Sequence, residues 1–348
     1  MRIIIATTQL PLVQGGAEFQ AEGLTAALVA AGHHVDTVRI PESWGTPGQV
    51  RAGIRFCEQL DLSSCAGKKI DRLIGFRFPA YLIPHSEKVQ WILHQPRWLY
   101  DLWSRFAPQI PEGSEWLGVR DDIHRIDTKC IPRARAVFAT SLNVADRLKR
   151  YNGIDASPLY HPPPLAEQYY CDPPGEYLFL PSRIYYLKRH ELVLEALALT
   201  KRPVTVLFAG TADDPTYGRF LMRRAEELNV NERCRWLEWV TQEEKIRLYA
   251  ECLAVIFPPY DEDLGYVTLE SMLASKPVIT CSDSGGPLEF VGHEETGLVC
   301  DPTAAGVAAA MDCLWGDRSL AARMGSAGRQ RYLDMNLSWA SVVETLLR

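Results

Sequence analysis

Short apolar runs alternate with amphipathic stretches along the chain, and this rhythm predicts the secondary structure. Residues 2–7 are rich in β-branched side chains and predict a strand, as do residues 35–40. Between them lies a predicted helix that Gly32 closes. Its apolar face consists of Ala17, Ala21, Leu24, Leu28 and Ala31. A strand, a helix and a second strand in this order indicate a parallel β-α-β unit, so the predicted fold class is α/β.

The alternation resumes after a proline-rich crossover near the middle of the chain. Tyr160 and His161 are followed by three prolines, which fix the backbone and lack amide donors. Beyond the crossover, apolar runs near residues 177–183 and 253–257 again predict strands separated by helices. We therefore predict an N-terminal Rossmann-like domain at residues 1–160 and a C-terminal one at 161–336, with a last helix at 337–348.

Composition narrows the class of protein. The chain has 348 residues, of which 47% are hydrophobic, so each of two domains has enough apolar side chains for a core. Its net charge of -6 argues against a nucleic-acid binder. The nine cysteines show no close C-x-x-C pair, which favours a reducing cytoplasm over a disulfide framework. No apolar run is long enough to span a bilayer. We expect a cytoplasmic protein and leave open peripheral contact with the inner face of a membrane.

The stretch at residues 258–289 carries the strongest candidate chemistry. Two prolines end the strand before it, and an acidic loop with Glu262 leads through Gly265 and Tyr266 into a predicted helix that carries Glu270. A helix N-terminus offers free amides and a positive dipole end, which favour an anionic group such as a phosphate. The glycine lets a ligand approach the backbone between two carboxylates, each able to accept hydrogen bonds from a pair of hydroxyls.

Two cations, Arg183 and Lys188, follow the first predicted strand of the second half, just before a helix. Positive side chains at such a position suit a diphosphate. In the first half, Gly15 and Gly16 end a polar loop at the predicted N-terminus of the first helix, where backbone can approach a diphosphate. His94 stands at the predicted carboxyl end of a strand, which is where ligands of open α/β sheets gather.

Together these motifs resemble the family-4 retaining glycosyltransferases of GT-B fold, also called glycosyltransferase group 1. The resemblance rests on the Glu-x7-Glu pair with its internal glycine, the following helix and PVIT strand, and a Gly-Gly-x-x-Glu. It implies two Rossmann-like domains facing across a cleft, with the C-terminal helix crossing back to the first. It implies a nucleotide-diphosphate sugar as donor and no metal requirement.

The resemblance also implies roles for individual residues. Arg183 and Lys188 would neutralise the departing β-phosphate, and Glu262 would hold sugar hydroxyls. Glu270 would bind the ribose diol, and His94 would lie near the reacting sugar. The remaining contacts with the donor would come from Gly15, Gly16, Gly210, Gly265 and Tyr266.

Two stretches of the first half resemble a bacterial subgroup that includes mannosyltransferases of surface-polysaccharide assembly. These are HQPRWLYD from His94, in which Arg97 lies one place early, and the motif of Arg125 and Asp127 that continues to Leu148. The donor is left open between UDP and GDP sugars, and the acceptor between a glycan and a lipid-linked saccharide. Residues 98–116, rich in aromatics and prolines, either line the acceptor cleft or pack on themselves.

The sequence also has features that other interpretations could use. Two acidic pairs, Asp213 with Asp214 and Asp261 with Asp263, are interpreted as solvated loop residues, and no metal or other cofactor is assigned. A nucleotide-sugar epimerase, a phosphorylase or a nucleotide-binding protein without turnover is compatible with the same fold. A dehydrogenase is disfavoured because the G-x-G-x-x-G fingerprint is absent. No nucleic-acid partner is expected, and the oligomeric state is open.

Overall fold

The computed structural model describes residues 1–9, 15–42 and 44–348. The chain divides into two compact units, one formed by Met1–His161 with Ser338–Arg348, and the other by Pro162–Leu337. The division lies within one residue of the predicted crossover, and the last helix belongs to the first unit. The polar loop predicted before Gly15 falls on residues 10–14, outside the described residues.

The first unit is built on a six-stranded parallel sheet with the strand order β2-β1-β5-β6-β7-β8. Its strands are β1 Arg2–Gln9, β2 His34–Pro41, β5 Arg72–Arg77, β6 Lys88–His94, β7 Ala136–Ala139 and β8 Ser157–Pro158. A short antiparallel pair, β3 Ser64–Cys65 and β4 Lys68–Lys69, lies apart from this sheet. The helices are α1 Gly16–Ala30, α2 Pro47–Gln59, α3 Trp103–Phe106, α4 Trp116–Cys130, α5 Leu142–Asn152 and α12 Trp339–Leu347.

The second unit repeats this plan with the strand order β11-β10-β9-β12-β13-β14, again parallel. Its strands are β9 Leu178–Pro181, β10 Val206–Ala209, β11 Cys234–Trp236, β12 Ala254–Ile256, β13 Val278–Cys281 and β14 Gly297–Cys300. Its helices are α6 His190–Leu199, α7 Pro215–Glu227, α8 Gln242–Glu251, α9 Tyr266–Leu273, α10 Ala304–Gly316 and α11 Arg318–Asp334.

Apolar side chains cover both faces of the first sheet. In β1, Ile3 and Ile5 join a core that includes α1 and α12, whereas Ile4 and Ala6 join the core on the opposite face. Successive side chains of a strand point to opposite faces, so a sheet buried on both faces needs an unbroken apolar run. This is why residues 2–7 have no polar alternation.

The C-terminal helix α12 is held in the first unit by aromatic contacts. The Trp339 ring lies 6.3 Å from the Trp91 ring and 5.3 Å from the His161 ring, measured between centroids. His161 is fully buried there, and burial lowers its pKa to about 3, so its imidazole stays neutral. The helix therefore covers apolar surface of the sheet that would otherwise face water.

The aromatic segment at residues 98–116 packs on itself. The Trp98 ring lies 4.7 Å from that of Phe106, 5.0 Å from that of Trp116 and 5.0 Å from that of Trp44, each pair edge to face. These spacings are those of favourable aromatic pairs. Of the two interpretations of this segment, the structure shows the self-packed one.

No helix within residues 1–9, 15–42 and 44–348 combines the length and apolar character needed to cross a membrane.

Candidate functional site in the second unit

Four loops of the second unit meet at one edge of its sheet. Arg183 follows β9, Gly210 follows β10, Glu262 follows β12 and Asp283 follows β13. These four strands are neighbours and run parallel. Their carboxyl ends therefore share one edge, which is the usual ligand-binding edge of an open α/β sheet. Residues predicted from separate motifs are thus brought to a common side.

Lys188 and Glu262 form an ion pair at this edge. The Lys188 Nζ atom donates to Glu262 Oε2 at 2.6 Å, and the two side chains are 17% and 19% exposed. The same ammonium lies 5.3 Å from the centroid of the Phe257 ring, within the range of a cation–π contact. Since both charges are mostly shielded but still reach solvent, a polar ligand can exchange with either partner.

The loop that carries Glu262 is fixed through its backbone. The Glu262 amide donates to Ser284 O at 2.8 Å, and the Gly286 amide donates to Glu262 O at 2.8 Å. Gly265 then caps α9 with φ 84°, a left-handed conformation that favours glycine. An added Cβ would also lie 3.0 Å from Phe257 Cε1. Gly265 and Tyr266 therefore stand at a helix N-terminus, as the sequence predicts.

Glu270, in the second turn of α9, lies at the centre of a buried polar cluster. Its Oε1 accepts a hydrogen bond from Lys245 Nζ at 2.8 Å, and its Oε2 accepts one from the Tyr249 hydroxyl at 2.7 Å. The residue is only 3% exposed. Burial, the Glu270 charge and a hydrogen bond to it together raise the pKa of Tyr169. Lys245 and Tyr249, two partners of Glu270 that were not predicted from the sequence, hold this carboxylate in a fixed orientation.

Arg183 occupies a more open position than Lys188. Its Nη1 lies 2.7 Å from Asp213 Oδ2, and its side chain is 51% exposed. Asp213 and Asp214 are both exposed, as predicted for solvated loop residues; Asp213 also pairs with this arginine, and Asp214 caps α7 by accepting from the Thr216 amide at 2.8 Å. An ion pair this exposed is weak, so Arg183 can change partners at little cost.

Gly210 lies against the loop that carries Arg183. A Cβ at this position would come within 2.2 Å of Ser182 O, and the backbone φ is 150°. The Gly210 amide donates to Glu238 O at 2.7 Å. Close approach of the two chains therefore requires glycine here. Beside it opens a cavity of about 230 Å³, lined by Ile184, Gly210, Ala212, Met222, Trp236 and Glu238.

A further ion pair at this edge was not predicted. The Arg189 guanidinium donates twice to the Asp283 carboxylate, at 2.7 and 2.5 Å. It also lies 5.1 Å from the Tyr260 ring centroid. Arg189 directly follows Lys188, so this fork anchors the segment that presents the lysine.

The predicted residues of the first unit lie at the start of α1 and at the end of β6. The Gly15 amide donates to Glu18 Oε2 at 2.9 Å, and Gly16 begins α1. His94 ends β6, and its Nδ1 lies 2.8 Å from Gln95 O. Gly15 and Gly16 thus lie at a helix N-terminus and His94 at the end of a strand, which are the places predicted from the sequence.

A buried carboxylate fixes the loop after His94. Asp127 is fully buried and accepts hydrogen bonds from Gln95 Nε2 at 2.7 Å and from the Tyr100 hydroxyl at 2.8 Å. The Tyr81 hydroxyl donates to it at 3.0 Å. Burial raises the pKa of Asp127 to about 6, and the hydrogen bonds limit that rise.

Among the residues that the structure describes, no group of three or more His, Cys, Asp or Glu side chains is arranged to hold a metal ion.

Solved structures share this two-unit fold over the whole chain. Sucrose-phosphate synthase from Thermosynechococcus elongatus matches with a TM-score of 0.80 and 19% identity, covering 99% of this chain and 97% of that one. HepE from Anabaena, solved with UDP and glucose, matches with a TM-score of 0.73 and 18% identity, covering 99% of each chain. The fold is GT-B, and the predicted α/β class is confirmed.

A family model matches most of the second unit. The model of glycosyl transferases group 1 matches residues 171–331, so this chain carries a domain of that family. The predicted family resemblance is confirmed at this level.

Curated relatives match mainly over part of their length. The alpha-1,3/1,6-mannosyltransferase ALG2 of Mus musculus is 31% identical over 170 residues, which is 45% of this chain and 41% of that protein. The D-rhamnosyltransferase WbpZ of Pseudomonas aeruginosa is 31% identical over 162 residues, 46% of this chain and 41% of that protein. The matched segments thus span about two fifths of each relative.

Proposed function

We propose that this protein is a retaining glycosyltransferase that moves a hexose from a UDP- or GDP-linked sugar to a hydroxyl of a glycan or lipid-linked acceptor. The observation that carries the proposal is the ion pair between Lys188 and Glu262 at the N-terminal end of α9. It sets a cation for phosphate and a carboxylate for sugar hydroxyls side by side. Helix amides next to the pair add a second source of positive potential.

In the proposed reaction, the bond between the anomeric carbon and the β-phosphate oxygen breaks, and the acceptor oxygen bonds to the carbon on the same face. The departing phosphate takes the acceptor proton, so the protein needs no nucleophile. Negative charge grows on the phosphate as the bond breaks, and Lys188 and Arg183 would stabilise it. Glu262 would hold the sugar in place by accepting hydrogen bonds from its hydroxyls.

The remaining residues would hold the nucleotide. Glu270, fixed by Lys245 and Tyr249, would accept hydrogen bonds from the ribose diol. The cavity beside Gly210 has an aromatic wall in Trp236, which suits a flat base. Gly15 and Gly16 would add backbone contacts to the diphosphate, and His94 would line the reacting centre.

No metal ion is proposed for the reaction. The diphosphate would be neutralised by Arg183 and Lys188, as the sequence analysis assigned, so a divalent ion has no required place. A mannosyl donor is the first to test, because the mannosyltransferase ALG2 of Mus musculus is 31% identical to this chain over 170 residues.

A panel of UDP and GDP sugars tests the proposal. Slow hydrolysis with water as acceptor should release nucleoside diphosphate and free sugar from one donor class, and NMR of the fresh product should show the donor's anomeric configuration. Release of sugar 1-phosphate would instead identify a phosphorylase. Conversion of the donor to its epimer would identify an epimerase. Tight nucleotide binding without breakdown of any donor or transfer to any acceptor would identify a binding protein.

A further inference from the structure

A second cavity lies in the first unit, at the amino end of strand β6. Its volume is about 460 Å³, and its lining includes Asp61, Ser63, His85, Ser86, Lys88 and Arg133. Lys88 begins β6 and His94 ends it. Six residues of strand span roughly 20 Å, so this cavity and His94 lie at opposite edges of the sheet.

Lys88 is a buried cation without an acidic partner. The residue is 5% exposed, and its Nζ donates to Tyr81 O at 3.2 Å and to Ile83 O at 3.0 Å. Within the described part of the chain, no carboxylate lies at ion-pair distance from it. An ammonium has three donors, and these two carbonyls use only two of them. Burial lowers the pKa of Lys88 to about 8, because desolvation disfavours the charged form.

The rim of the cavity adds a second cation. Arg133 is exposed and forms no ion pair with any described residue. The acidic lining residue Asp61 is engaged in its own turn, where its Oδ1 accepts from the Ser63 amide at 2.8 Å. His85 is neutral near pH 7, since burial lowers its pKa. The lining therefore carries two positive charges against one negative charge.

We propose that this cavity binds a small oxyanion, either a phosphate group or a carboxylate group of a small molecule, between the Lys88 ammonium and the Arg133 guanidinium. An anion there would supply the third hydrogen-bond acceptor of Lys88 and offset the electrostatic cost of its burial. The hydroxyls of Ser63 and Ser86 in the lining offer further donors. The site is independent of the proposed glycosyl transfer.

Calorimetric titration with sulfate tests the proposal, because sulfate keeps its double charge from pH 7 to pH 9. With Lys88 at a pKa of about 8, the protonated fraction falls about tenfold over this range, and sulfate affinity should fall by the same factor. The other charged or titratable groups around the cavity are Cys130, Arg133, His85, Asp61, Glu58 and Glu87. Burial raises the pKa of Cys130, so its thiol stays largely protonated and Lys88 dominates the change.

Two surface variants separate this site from general charge effects. Arg133→Gln should weaken sulfate binding about tenfold at constant ionic strength, the low end expected for a charged hydrogen bond. Arg150→Gln removes another exposed arginine of the same unit and should leave the affinity unchanged. Equal losses in the two variants, or no measurable binding to the wild type, would overturn the proposal.

Lys88→Met tests the buried cation directly, with circular dichroism as the check on folding. A folded variant should lose sulfate binding and its pH dependence; unchanged binding would exclude Lys88 from the site. If the variant does not fold, the proposal is tested by the sulfate affinity of Arg133→Gln and by the pH dependence of sulfate binding to the wild type. Parallel titrations with phosphate and acetate identify the ligand class: tighter phosphate binding indicates a phosphate site, and tighter acetate binding indicates a carboxylate site.

Discussion

Lys188→Met removes the cation that should matter most to the proposed reaction. The ammonium sits 2.6 Å from Glu262 Oε2 with its side chain only 17% exposed, so water replaces it poorly. A hydrogen bond to a charged group contributes about 1.5 to 3 kcal/mol. About 1.4 kcal/mol corresponds to tenfold in rate, so kcat should fall about ten- to a hundredfold. Nucleotide affinity should fall less, because charge on the phosphate grows only toward the transition state.

The assay is steady-state turnover beside calorimetric nucleotide binding. Lys201→Met, an exposed lysine of the same unit, is the matched control and should behave as wild type. Arg183→Gln should have a smaller effect than Lys188→Met, since its side chain is 51% exposed. Turnover within twofold of wild type in Lys188→Met would refute the assignment of this lysine to the leaving group.

Glu262→Gln separates the two halves of the ion pair. It frees Lys188 from its acidic partner, so affinity for a nucleoside diphosphate alone should rise, by up to about fivefold for a largely shielded but solvent-reaching pair. Turnover of the nucleotide sugar should nevertheless fall, because the sugar loses its charged acceptor. A fall in affinity for the nucleoside diphosphate would show that Glu262 itself contacts the nucleotide.

Three further outcomes are expected. Glu270→Gln should raise KM more than it lowers kcat. It should also destabilise the second unit by about 1 to 3 kcal/mol in urea, because Lys245 loses its charged acceptor. Lost turnover with intact nucleotide affinity would contradict the ribose role. Asp127 has a folded pKa of about 6, above its ordinary 3.8, so ionisation costs stability above pH 6 and that cost is relieved as the pH falls. The free energy of unfolding of the wild type, measured in urea and compared with that of Asp127→Asn, should therefore rise by about 2 kcal/mol as the pH falls from about 7.5 to 4.5. A difference between the two proteins that stays constant over this range would contradict the prediction. EDTA should leave donor turnover nearly unchanged, whereas complete loss restored by magnesium or manganese would overturn the neutralisation of the diphosphate by Arg183 and Lys188.

The strands predicted from the sequence occur in the structure because each one is a local pattern. A sheet covered on both faces requires an unbroken apolar run in each strand, and turn or cap residues mark the two ends of that run. The helices α10 and α11 were not predicted individually. Their sequences are rich in alanine, glycine or arginine, so they show no clear apolar face. The small side chains that these helices bury could be identified only from the structure.

The candidate site was predictable where its residues follow one another closely. Glu262, Gly265 and Glu270 lie within nine residues, and their spacing indicates a loop that leads into a helix. The partners of Glu270 were not predictable, because Lys245 and Tyr249 come from a different helix, with a strand between. Likewise, Arg183 and Asp213 are thirty residues apart, and only the parallel pairing of β9 with β10 brings their loops together.

Three cations at the carboxyl ends of the second unit's strands are all engaged in ion pairs, which affects how a donor would bind. Arg183, Lys188 and Arg189 are each paired with an acid, so these three pairs carry no net charge. A diphosphate would therefore compete with existing carboxylates instead of filling an empty positive pocket. The bidentate pair of Arg189 is the hardest to exchange, which fixes the backbone next to Lys188. If Lys188 turned from Glu262 to phosphate, the released carboxylate would already be beside the proposed place of the sugar. Recognition of the phosphate and of the sugar would thus be coupled through one ion pair, and a nucleotide without its sugar would leave that carboxylate without a charged partner.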